Sequence, residues 1–186
     1  MSMIRIARPS QNLINKFPKK YVEFYFGYAN VITETLKWPS FQNFLNWMIK
    51  EENINKNKIV DIQVKIFPFK KRKGKGLAGR CSKKGQIKIY PRRIKFLSGL
   101  LMKTEEEKLD LYVKARAMST LIHELLHIKY LSDEEKVKKL TKNYFDIFNL
   151  HWQRSNHRSP KTCRMLKYNL SHHKREPRCL ESNFYR

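Results

Sequence analysis

The apolar positions change period along the chain, and each change predicts a different element. From Tyr21 to Trp38, YVEFYFGYANVITETLKW is dense in apolar and aromatic residues at helical spacing, and Pro39-Ser40 restarts the pattern in FQNFLNWMIK. N-terminal helices are therefore expected within residues 10–52. After a polar break from Asn53 to Asn57, IVDIQVKIFPF alternates Ile62, Val64 and Ile66 with Gln63 and Lys65, the two-residue period of a strand. LAGRCS and QIKIY, on either side of Lys83-Lys84-Gly85, read as two further strands, so a small sheet of about three strands is expected over residues 58–91.

The helical period returns at Glu105. EEEKLDLYVKARAMSTLIHELLHIKYL contains no Pro or Gly and opens with acids that suit a helix N-terminus. Ser132 followed by Glu135 has the form of a capping box, which starts a second helix through Val137, Leu140, Tyr144 and Phe148. The expected fold class is α+β: a small antiparallel or mixed sheet packed on a long helix and a second capped helix over 105–149, preceded by N-terminal helices. One domain would span 1–150. Beyond it, residues 151–186 lose apolar periodicity and form a basic extension containing His and Cys.

Composition adds a partner to this picture. The chain has 186 residues, 41% of them hydrophobic, enough for one ordinary core. No window resembles a membrane span and MSMIRIARPSQNL lacks the apolar core of a secretory signal, so a soluble intracellular protein is expected, with no membrane contact. Cys81, Cys163 and Cys179 are too scattered for a disulfide framework, and Cys81 is read as a buried small hydrophobe. The 40 Lys and Arg against 16 Asp and Glu give a net charge of +24, the sign and size of a chain that meets polyanions, nucleic acid first among them. No acid occurs between Asp61 and Glu105, so region 65–103 and the C-terminal tail are the expected contact surfaces.

The chemistry lies in LIHELLHIKY, residues 121–130, where His123, Glu124 and His127 fit H-E-x-x-H. Roughly one shuffled chain of this composition in a hundred would contain that pattern by chance. Spacing of i and i+4 leaves the two imidazoles about 40° apart on a helix, so both reach one ion. Glu124 falls to one side, badly turned for a ligand and well turned to take a proton from a metal-activated water. Arg116, Thr120, His123, His127 and Tyr130 form a polar stripe, opposite Ala117, Met118, Leu121, Ile122, Leu125 and Leu126. A lone histidine would be read as a satisfied core residue. Burying three such polar groups without partners costs several kcal/mol, and a zinc ion on neutral imidazoles removes that cost for the two histidines together.

With this motif on a long helix, after LAGRCS, a turn and QIKIYPRRI, and before a second capped helix, the chain resembles the zincins, and more closely the SprT-like metallopeptidases, including the Spartan group that degrades DNA–protein crosslinks. The resemblance covers roughly residues 58–150. It implies Zn²⁺ on His123 and His127, Glu124 as general base, a protein or peptide substrate, and Gln86 to Tyr90 as the sheet edge that substrate backbone joins. The family's third histidine has no counterpart, because Ser132-Asp133-Glu134-Glu135 stands there. If the cap occupies Glu135, Asp133 or Glu134 must complete the site. Asp133 fills the slot of the missing histidine, and Glu134 has the longer reach. His151, His157, His172 and His173 with Cys163 and Cys179 include no C-x-x-C or H-x₃-H pair, so the tail is read as a basic extension rather than a second zinc module. The competing function is a basic nucleic-acid-binding protein on the same scaffold with structural zinc and no hydrolysis. A metal-dependent nuclease ranks third, since such sites rely on carboxylates and more than one ion.

Overall fold

The computed structural model describes residues 4–7, 19–70, 76–103 and 106–152. Within them the fold is mixed α+β, with five α-helices and a four-stranded mixed sheet. Helices α1 (Lys19–Lys37) and α2 (Pro39–Glu51) meet at Trp38, where Pro39 stands at the first helical position of α2, the place where a missing N–H costs nothing. Asn53 at φ 50° ends α2, a conformation that asparagine tolerates better than most residues. The fully buried Phe24, Tyr28, Leu36, Phe41, Phe44 and Leu45 make this helix pair one side of the core.

The sheet runs in the order β1 (Ile6–Ala7), β2 (Asp61–Val64), β6 (Gln86–Ile89), β5 (Gly79–Cys81). The first three strands are parallel and β5 is antiparallel to β6. A separate two-stranded hairpin joins β3 (Phe69–Lys70) to β4 (Gly76–Leu77). Ile62, Val64, Ile87 and Ile89 are buried in the core, while Gln63, Lys88 and Arg80 align across three strands on the opposite face. Helix α3 (Ile94–Leu101) follows the sheet, then α4 (Glu106–Tyr130), α5 (Glu134–Ile147) and a π-helical turn (Phe148–Trp152). On α4 the predicted apolar set is buried: Leu121, Ile122, Leu125 and Leu126 are fully enclosed and Ala117 and Met118 nearly so.

Several expectations are corrected. The sheet has four strands rather than about three, because Ile6–Ala7 adds a parallel strand whose approach is fixed by Gln42: its amide donates to the Leu36 carbonyl (2.6 Å) and its carbonyl oxygen accepts from the Ile4 N–H (3.2 Å). The run from Ile59 to Phe69 is not one strand: it is extended in β2 over Asp61–Val64 and enters the separate hairpin strand β3 at Phe69. Chain after Ile89 does not continue as a strand; Pro91 removes a donor and helix α3 begins at Ile94. Gln86 to Tyr90 is not the sheet edge either. It lies between β2 and β5, and among the described residues the edge strands are Ile6–Ala7 on the far side and Gly79–Cys81 on the side of α4's histidines. Residues 8–18, the basic loop 71–75 and the tail from 153, with His157, Cys163, His172, His173 and Cys179, lie outside the described residues. Among the described residues no helix is long and apolar enough to cross a membrane.

Candidate metal centre

Helix α4 carries His123 and His127 one turn apart, and α5 returns beside it after a tight connection. Leu131, at φ 49°, ends α4 in the left-handed conformation, and Asp133 caps α5 by accepting from the Lys136 N–H at 3.1 Å. The cap is therefore Asp133 and not Ser132, one residue later than the capping-box expectation. That shift occupies the Asp133 carboxylate and leaves Glu134, in the first turn of α5, facing the histidines.

The three side chains converge. His123 Nε2 and His127 Nε2 are 3.1 Å apart, Glu134 Oε2 is 3.3 Å from His127 Nε2, and Glu134 Oε1 is 3.7 Å from His123 Nε2. Neighbouring ligands of a tetrahedral zinc at 2.0–2.1 Å are separated by about 3.3 Å, so the donor set has the spacing such an ion requires. The outer ring nitrogens fix the tautomers. His127 Nδ1 lies 2.6 Å from the Leu131 carbonyl, which can only accept. Thr141 Oγ1 donates to the Val137 carbonyl at 2.7 Å and so accepts from His123 Nδ1 at 3.3 Å. With both protons on Nδ1, two bare Nε2 lone pairs face each other, an arrangement that repels unless a cation or a proton lies between them. Burial holds the His123 pKa below its ordinary value, with His127 adding to the effect and Glu134 opposing it, which disfavours the proton. Among the described residues this is the one group of three whose donor atoms could share an ion.

A cleft of about 1160 Å³ opens beside the group, with the stretch 77–85 as one wall and α4 as the other. Glu124 is 6% exposed and lines the same cleft. It lies where β5 crosses α4 at Gly79: a Cβ there would stand 2.6 Å from Thr120 Cγ2 and 2.8 Å from Glu124 Cγ and Oε1. Glycine is thus required by close approach. Cys81 also lines the cleft, but burial and then the charge of Glu124 push its thiol up to about 11, so it is a protonated wall residue rather than a nucleophile.

Two other stripe residues, Arg116 and Tyr130, serve the scaffold, while Thr120 lines the cleft. Arg116 donates to the Tyr90 carbonyl at 2.9 Å. Tyr130 donates to Glu52 Oε2 at 2.6 Å and does not line the cleft. Glu52, at the end of α2, also accepts from Tyr144 (2.5 Å) and Lys129 (3.2 Å), joining α2, α4 and α5 behind the histidines. Sequence reasoning missed Thr141, Gly79 and Glu52. Thr141 carried a signal, being a hydroxyl on α5 within the apolar stripe that runs from Val137 through Tyr144 to Phe148 in the following turn. Glu52 and Gly79 carried none. Comparison of the chain with protein-family models, with curated proteins and with solved structures finds no match.

Proposed function

We propose that this chain is a zinc-dependent peptidase of zincin type, resembling the SprT-like enzymes and acting on proteins at or near nucleic acid. The observation that carries the proposal is the convergence of His123, His127 and Glu134 beneath a free strand edge, with the buried Glu124 in the same cleft. A zinc ion held by these three residues would supply Lewis acidity toward a peptide carbonyl and make water a better acid. The residues of the chain do the rest. Tyr90 N–H bonds to the Ala78 carbonyl and Ser82 N–H to that of Gln86, so ladder alternation turns the main-chain groups of Gly79 and Cys81 toward the cleft. An extended substrate adds there as a further strand, which brings a peptide bond over α4. Glu124 takes the proton of the attacking water and returns it to the leaving amine. Thr141 and the Leu131 carbonyl hold the imidazoles in the ligating tautomer.

Glu124→Gln tests the assignment on purified full-length protein. Zinc content should be unchanged and peptide cleavage should fall by at least ~10²-fold. Cleavage at the original rate, or zinc lost with the carboxylate, would overturn the role given to Glu124. The net charge of +24 favours a second reading, a nucleic-acid-binding protein with structural zinc. Under that reading the unsubstituted protein holds zinc and cleaves no peptide.

A further inference from the structure

Among the described residues the two ends of the cleft differ in chemistry, and the difference specifies a ligand. At one end stand Lys58, Lys83 and Lys84. They are brought together by the β5–β6 turn: Gly85 adopts φ 77°, the Val60 N–H donates to its carbonyl at 3.1 Å, and its α-carbon lies so close to the Lys58 carbonyl that no side chain fits. All three lysines are exposed, and among the described residues none is in an ion pair. The two acids of the cleft do not offset them. Glu134 is engaged with the histidines and Lys138, and Glu124 lies against Gly79 further along the strand. At the other end Phe69, 44% exposed, and Leu77 present apolar surface.

We infer that the cleft selects an extended polypeptide with acidic side chains at one end and a bulky apolar side chain at the other. This deepens the peptidase reading by naming its substrate class, and rests on it only for the cleavage step. At ~3.3 Å per strand residue, the lysine turn lies on the order of four residues from Gly79 and the apolar end about two. Acids three to five residues from the bond above Glu124, and a Leu or Phe within two on the opposite side, therefore meet their partners. Nucleic acid fits this cleft less well, because the free edge of Gly79 and Cys81 offers both donors and acceptors, and a phosphodiester backbone has only acceptors to give in return.

The test uses fluorescein-labelled twelve-residue peptides and the full-length Glu124→Gln protein, so that binding is read without turnover. One peptide carries Leu and an Asp-Asp-Glu end, a second replaces the acids by Asn-Asn-Gln, and a third replaces Leu by Ser. At low salt the acidic peptide should bind about five- to tenfold more tightly than its amide match, since each exposed ion pair contributes a factor of roughly two. The preference should vanish in half-molar salt. Adding Lys83→Glu and Lys84→Glu should abolish it while leaving the amide peptide's affinity unchanged, which also shows that the variant is folded. The Ser peptide should bind more weakly than the Leu peptide in both backgrounds. Equal binding of acidic and amide peptides overturns the inference, and so does a preference that survives the double substitution, which would belong to basic residues elsewhere. A single-stranded oligonucleotide that displaces the acidic peptide from the parent but binds the double variant poorly also overturns it, by assigning the lysines to phosphate. Charge preference in binding without cleavage by the unsubstituted chain sinks the peptidase reading alone; cleavage without charge preference sinks this inference alone.

Discussion

Leu131 holds a backbone conformation, φ 49°, that costs an L-residue roughly 1–2 kcal/mol, and the residue is 74% exposed. Leu131→Gly should relieve part of that strain and raise stability by up to about 1 kcal/mol in a denaturant melt, with zinc affinity unchanged because the acceptor for His127 is main chain. A loss of zinc affinity would mean that the side chain positions the carbonyl. Thr141→Val removes the acceptor for His123 Nδ1 at nearly constant volume. Zinc affinity, measured against a chelator, should fall roughly 10–100-fold with the melting transition retained. Unchanged affinity would strip Thr141 of its orienting role. At this scale the motif was legible because two histidines four apart must share a helix face whatever the tertiary structure. The choice between Asp133 and Glu134 was not, since Ser132 and Asp133 are equally good caps and a shift of one residue decides which carboxylate is left over.

Between elements, Glu52 is the joint. Burial opposes its ionisation, but hydrogen bonds from Tyr130, Tyr144 and Lys129 outweigh burial and hold its pKa below the ordinary 4.5. A folded pKa below the unfolded one adds stability that is fully present above the unfolded value and is lost as pH falls through the folded one. Glu52→Gln should therefore destabilise the protein by about 1–3 kcal/mol near neutrality. The gap between variant and parent should shrink as the pH is taken from about 6 to about 3. A gap that does not change with pH would show that shape, not charge, holds the joint. The helices of this assembly were readable from periodicity, because an apolar stripe is local information. Strand order was not. The pairing of Ile62 with Ile87 joins residues far apart in sequence, and nothing in QIKIY distinguishes a central strand from an edge. Helix α3 has no start signal in the sequence, because Pro91-Arg92-Arg93 precedes it and Arg93 provides no side-chain cap.

Over the whole molecule, positive charge among the described residues lies on two surfaces, one of them the cleft itself. Arg80 and Lys88 align on the outer face of the sheet and Lys58, Lys83 and Lys84 line the cleft, while the net charge is +24. Binding to an oligonucleotide should accordingly be insensitive to sequence and fall on the order of 10³-fold or more between 50 and 200 mM salt, as anisotropy would record. A salt-independent affinity would argue against phosphate contacts. The high charge was legible at once from composition, but its distribution between sheet face and groove needed the fold. The contact at Gly79 has a consequence for anyone who would redesign this groove. The Gly79 main chain rests directly on the Thr120 and Glu124 side chains with no room for a side chain of its own, so the span above Glu124 is set by the scaffold. Altered selectivity has to be engineered from the ends, at Lys83 and Lys84 or at Phe69 and Leu77, where surface can be exchanged without moving the strand.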